Sequence, residues 1–122
     1  MTPPFKVGLK VENADGIYFE VTLATRKHER GRGLLGSKPL SGQKGLLLWP
    51  GGSVHTFGMT YPIDVLFLNH ELRVLHCQRF LRPWRIALAP WKTQGTLELA
   101  ADESQLIDIG HRFYPFYGDF NQ

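Results

Sequence analysis

Pro62-Ile63-Asp64-Val65-Leu66-Phe67-Leu68-Asn69-His70-Glu71-Leu72-Arg73-Val74-Leu75-His76-Cys77-Gln78-Arg79-Phe80 is the stretch that decides the fold class. Two runs rich in apolar residues flank a polar Asn69-His70-Glu71, which predicts strands over 63–69 and 72–80 joined by a tight turn. Side chains alternate along a strand, so Ile63, Val65 and Phe67 share one face while Asp64, Leu66 and Leu68 share the other. Both faces are apolar apart from Asp64, as expected of a strand covered on both sides. A carboxylate there is costly to ionise unless it is paired or hydrogen-bonded, so it should find Arg, backbone N–H groups or a hydroxyl, with Thr56, Thr60 and the guanidinium of Arg30 or Arg32 as available candidates.

Working outward, residues 6–12 and 17–23 alternate in the same way around Asn13-Ala14-Asp15-Gly16 and read as a second hairpin. Leu46-Leu47-Leu48-Trp49, closed by Pro50-Gly51-Gly52, is a short buried strand ending in a turn. Further strands are expected at 96–99 and around 111–117, with a turn of helix near Ser104–Leu106. Thr25 is placed to cap a short helix over the polar residues that follow it, against the cost of Gly31 and Gly33. The expected architecture is mainly β within the α+β class: a compact antiparallel sheet or partly closed small barrel with one short helix across it.

A length of 122 residues suits a single domain spanning 1–122, and 43% hydrophobic against 20% charged residues is enough to build a core. A formal charge of +3 favours anionic partners only mildly and falls short of a dedicated nucleic-acid binder. Cys77 is the only cysteine, so one chain can form neither an internal disulfide nor a cysteine-rich metal site. The cytoplasm is the natural compartment on that reading, and no apolar stretch is long enough for a membrane-spanning helix.

Two motifs carry a family resemblance. Glu29-Arg30-Gly31-Arg32-Gly33-Leu34-Leu35-Gly36 resembles the Glu-Arg-x-x-Gly-Leu-Met signature of the family called domain of unknown function 192. The stretch from His55 through Pro62-Ile63-Asp64-Val65-Leu66-Phe67 resembles that family's Pro-Leu-Asp-Ile-x-Phe strand and its approach. The similarity runs over about residues 17–116. The chain departs from the pattern where His-Thr-Phe-x-Met stands for the common Met-Lys-Asn-Thr, and where Gly110-His111 stands for Gly-Asp. The resemblance implies a compact, mainly β fold and carries no catalytic residue with it.

Among residues able to do chemistry, His55 and Asp64 are the candidate catalytic pair, an imidazole oriented by a carboxylate, although no nucleophile sits in a recognisable setting beside them. Cys77 falls in a strand, where an inert packing thiol is expected. His28, His55, His70, His76 and His111 are scattered without ligand spacing, so no metal is expected. Gly31-Arg32-Gly33-Leu34-Leu35-Gly36 matches a dinucleotide fingerprint by letter but lacks the strand before and the helix after, so no cofactor is expected.

The segment 79–92 interleaves Arg79, Arg82, Arg85 and Lys92 with Phe80, Trp84 and Trp91, a mixture that stacks on flat rings and pairs with anions. The hairpin topology puts the approach to strand 63–69 and the exit from strand 72–80 at one end, so loops 50–62 and 79–92 are expected to meet. The candidate ligand-binding residues are therefore His55, Thr56, Tyr61, Asp64, Arg82, Trp84 and Arg85. The leading expectation is a non-enzymatic domain recognising a small anionic or sugar-like ligand or a protein partner. A small hydrolase or lyase using His55 and Asp64 ranks second, and a nucleic-acid accessory module third.

Overall fold

The computed structural model of the chain describes residues 5–12, 14, 16–25, 40 and 42–116. Strands β1 (Phe5–Val11) and β2 (Tyr18–Ala24) form the first hairpin, with Val7 opposite Val21 and Leu9 opposite Phe19. The middle of the sheet is β3 (Lys44–Leu48), β5 (Ile63–Leu68) and β8 (Gly95–Ala100), and its flanks are β6 (Val74–Leu81) and β9 (Phe113–Phe116). These seven strands lie in the order β6-β5-β8-β3-β2-β1-β9, while the two-residue strands β4 (Val54–His55) and β7 (Ile86–Ala87) pair separately as a small ribbon.

The sheet curls into a half-barrel, and its two edge strands meet at one end. Arg73 and Arg112 form an antiparallel bridge, flanked by Val74 N–H donating to the His111 carbonyl at 2.8 Å and Phe113 N–H to that of Leu72 at 2.9 Å. Farther along β6 the segment 104–108 is held to the strand through side chains. Arg79 donates to the carbonyls of Ser104 and Ile107, and its guanidinium lies 3.7 Å from the Asp108 carboxylate. Arg79 thereby holds the segment 104–108 against the β6 edge.

Each strand face is buried against a different layer. Leu9, Phe19, Val21, Leu47, Leu66, Leu97, Leu99 and Ile107 fill the first cluster. Val74 from one edge strand and Phe113 from the other join it, which places this cluster inside the curl. Ala24, Leu46, Leu48, Ile63, Val65, Phe67 and Leu81 point the other way, where Met59 and Ala87 cover them. β5 is therefore buried on both faces, with Ile63, Val65 and Phe67 outward and Leu66 and Leu68 inward. At Gly95 the layers leave no room for a side chain, because the Trp49 ring lies where a Cβ would sit.

Three expectations need correction. The sheet is not wholly antiparallel: β2 and β3 run parallel, with Val21 opposite Gly45 and Leu23 opposite Leu47. A parallel pair cannot be joined by a tight hairpin and demands a longer connection. No helix occurs among the described residues. Residues 101–106 make successive turns, with Glu103 N–H bonded to the Ala100 carbonyl and Ile107 N–H to that of Ser104. The short helix expected after Thr25, the glycine turn 31–36 and the side chains of Arg30 and Arg32 lie outside the described residues.

The third correction concerns which residues hold Asp64: backbone N–H groups and a hydroxyl do so, as expected, but they do not come from Thr56 or Thr60. The register of β5 against β6 shifts between Ile63 and Val65, so that Arg79 and Phe80 both stand across from Asp64. Phe80 takes a left-handed backbone conformation there, φ 52°, the hallmark of a bulge. Its freed N–H donates to Asp64 Oδ1 at 2.8 Å, while Ser104 donates to Oδ2 through its N–H at 3.1 Å and its hydroxyl at 2.6 Å.

Candidate functional site: an aromatic and cationic face built on Thr56

Thr56 follows β4 and is fully buried. Its hydroxyl donates to the Arg82 carbonyl at 2.6 Å and accepts the Arg85 N–H at 2.9 Å. Its own N–H donates to the Arg85 carbonyl at 2.9 Å, and its carbonyl accepts from Trp84 at 3.0 Å and Met59 at 3.1 Å. One residue thus takes up four backbone groups of the tight loop Arg82 to Arg85: the Arg82 carbonyl, the Trp84 N–H and the N–H and carbonyl of Arg85. Loops 50–62 and 79–92 are neighbours through this clamp and through the Val54–Ala87 and His55–Ile86 pairs of the ribbon.

The clamp fixes a row of rings. Trp84 is held in a left-handed conformation, φ 64°, an uncommon state for a bulky residue that costs free energy. Its indole stays 63% exposed, so core packing does not repay that cost. The indole stacks on Phe57 with centroids 5.9 Å apart, and Phe57 stacks on His55 at 4.9 Å, both pairs at 26°. Phe57 N–H donates to His55 Nδ1 at 3.2 Å, which leaves Nε2 as the ring nitrogen turned outward. Arg82 and Arg85 are exposed beside the rings, and among the described residues neither guanidinium has a carboxylate within ion-pair range. Arg85 Nη1 instead rests on the Trp84 carbonyl at 3.3 Å. Farther along, Ile86, Leu88 and Trp91 are exposed, and the Lys92 ammonium sits 5.0 Å from the Trp91 ring centroid.

Not every expected site residue joins this face. Tyr61 is half-buried against the outer apolar cluster. Asp64 is fully buried on the inner side of β5, its two oxygens taken up by Phe80 and Ser104, so it orients nothing at His55. His55 and Asp64 therefore form no catalytic pair in this arrangement. Cys77 is half-buried against the inner cluster with Sγ 3.9 Å from the Ile107 carbonyl, and burial pushes its thiol above the ordinary range. Among the described residues no three His, Cys, Asp or Glu side chains converge as a metal site would require.

Glu98 escaped notice in the sequence. It alternates with Leu97 and Leu99 in β8 and so reads as a solvent-facing residue. Leu46 and Val65 stand across from it on neighbouring strands, the outer layer covers it, and its Oε2 has no hydrogen-bond partner among the described residues. Burial pushes its carboxyl up to about 7. The missing signal was the second apolar layer, which turns what looks like a solvent face into a core face.

Comparison with known proteins places the fold. A family model described as "Uncharacterized ACR", domain of unknown function 192, matches residues 10–112. The chain belongs to the domain of unknown function 192 family. Two solved structures share the half-barrel. A protein of unknown function from Novosphingobium aromaticivorans is 20% identical with a TM-score of 0.80, over 89% of this chain and 84% of its own. A protein described as a candidate transcription regulator from Sinorhizobium meliloti is 18% identical with a TM-score of 0.79, over 94% of this chain and 97% of its own. At such identity the likeness establishes the fold of this family member and nothing finer. No curated protein matches the chain.

Proposed function

We infer that this member of the family is a non-catalytic recognition domain whose binding face is the His55–Phe57–Trp84 stack with the guanidinium groups of Arg82 and Arg85. The observation that carries the reading is Trp84: a strained backbone, fastened by the buried Thr56, holds a large ring out in water beside two guanidinium groups that have no carboxylate within ion-pair range among the described residues. Folding alone gains little from such an arrangement, whereas a ligand with a flat apolar surface and an anionic group gains ring stacking and charge-assisted hydrogen bonds together. Catalysis by His55 and Asp64 has no support in the geometry, since the carboxylate is buried on the other side of β5.

Titration with naphthalene-2-sulfonate, an aromatic anion, tests this by nuclear magnetic resonance shifts of the Trp84 indole and the Arg85 side chain. Saturable binding is expected, weakened about tenfold by Trp84→Ala, the size of effect that removing a central aromatic anchor gives. Thermal unfolding of that variant should stay near that of the parent, because exposed substitutions shift stability by about 0.5 kcal/mol or less. Binding indifferent to Trp84→Ala, or a Trp84→Ala protein that no longer folds, would overturn the reading.

A further inference from the structure

Among the described residues, nothing pairs with one strand edge of the ribbon next to the stack. Hydrogen bonds from residues 85, 87 and 89 all turn toward the β4 side: Arg85 pairs with Thr56, Ala87 with Val54, and Ala89 N–H donates to Ser53 Oγ at 2.8 Å. Backbone groups alternate in direction along an extended chain, so the N–H and C=O groups of Ile86 and Leu88 point away from β4. Neither residue has a backbone hydrogen bond on that side among the described residues. Side chains alternate too. Ala87 packs into the outer core, whereas Ile86 is 57% and Leu88 76% exposed. The result is an unpaired edge with an apolar outer face, the kind of surface natural proteins usually cover or blunt.

Charge indicates what fits there. The segment 79–92 holds four cations and no acidic residue. Arg79 is engaged with Asp108, but Arg82, Arg85 and Lys92 have no carboxylate within ion-pair range among the described residues. A second copy of this chain paired edge to edge would bring two such sets of cations together, which disfavours self-association. An acidic strand has the opposite balance.

We propose that the β7 edge receives an extended acidic segment of a protein partner as a third strand of the ribbon. Its backbone pairs with Ile86 and Leu88, and its carboxylates lie against Arg82, Arg85 and Lys92. Main-chain pairing supplies affinity in this mode of recognition and alternate side chains supply selectivity. Apolar residues of the partner lie beside Ile86 and Leu88, and the Trp84 ring bounds one end. The proposal rests on the recognition reading above and adds the identity of what is recognised.

The test uses the full chain and a synthetic peptide of about six residues alternating Glu and Val, an ordinary strand length. Two further peptides carry N-methyl groups on one alternate set of amides or on the other. Strand addition uses only one set, so methylation of that set is expected to weaken binding about tenfold or more while the other set is tolerated. Equal effects of the two sets, or none, would overturn edge pairing. No binding of the parent peptide while naphthalene-2-sulfonate still binds would overturn the strand proposal and leave the recognition face standing; loss of both would sink the two together. Tighter binding of a single-stranded oligonucleotide than of the peptide would overturn it in favour of a nucleic-acid partner. Ile86→Pro provides a check from the protein side, since it removes the outward N–H without touching a β4 bond. The expected result is loss of peptide affinity with retained folding, and unaltered affinity in a folded variant would count against the proposal.

Discussion

Asp64 and Glu98 show what a buried carboxylate does with and without partners. Asp64 accepts three hydrogen bonds from two segments, the β6 bulge and the turn at Ser104, and so ties them together beside the Arg79 contact to the Ser104 carbonyl. Replacing it with Asn sets an amide NH2 against one of those donors, and the expected loss is about 1–3 kcal/mol in urea unfolding. An unchanged midpoint would show that the tie contributes nothing. Ser104→Ala should lose less, since the Ser104 N–H bond remains. Glu98 behaves in the opposite sense. Its folded carboxyl sits at about 7 against 4.5 for the free group, so the folded state holds a proton that the unfolded chain releases. Stability from this residue is full below about pH 4.5, falls as the pH rises toward about 7 and is flat above that, a total of about 3 kcal/mol. Glu98→Gln should abolish that part of the slope in thermal unfolding measured across the same window; an identical slope would show the carboxyl to be solvated. Asp64 was legible in the sequence because both its strand neighbours and their alternates are apolar. Glu98 was not, because its burial depends on a layer that only the folded chain creates.

Among the elements, the hairpins at 5–24 and 63–81 follow directly from alternation around polar turns. Local pattern is strong there because each pair closes within a few residues. The β4–β7 ribbon had no such signal. Two-residue strands are too short to alternate, and part of what holds them is a hydroxyl 26 residues away from the carbonyl it bonds. That the two loops meet was readable from hairpin topology; that Thr56 is the fastening was not. Thr56→Val keeps the shape and removes the hydroxyl, so the Arg85 N–H and the Arg82 carbonyl lose their partner at an expected cost of about 1–3 kcal/mol. Ring-current shifts between Phe57 and Trp84 should collapse in that variant, while Thr56→Ser, which keeps the hydroxyl, should preserve them. A preserved stack in Thr56→Val would mean that the rings hold the loop and not the reverse.

On the scale of the whole molecule, the parallel β2–β3 pair and the meeting of β6 with β9 are the features sequence alone left open, since both join segments far apart in the chain. Relative position in the half-barrel sets how each strand should open. β3, β5 and β8 have neighbours on both sides and apolar layers on both faces. Among the described residues β9 has one full neighbour, β1, and is tied to β6 through the contacts of 71–74 with 110–113. Pro115 also removes one of its four amide donors. Opening β9 therefore exposes Phe113 but leaves the central ladders intact. Native-state hydrogen exchange should give the slowest amides in β5 and β8 and faster, sub-global opening for β9 and for the segment 104–112. The Arg79 contacts to Ser104, Ile107 and Asp108 hold that segment against β6, so Arg79→Ala should speed exchange of Phe113 and Tyr114 while the amides of Val65 and Leu97 stay as slow as before. Uniform acceleration throughout the sheet would instead show that closing the half-barrel and building its centre are one cooperative event.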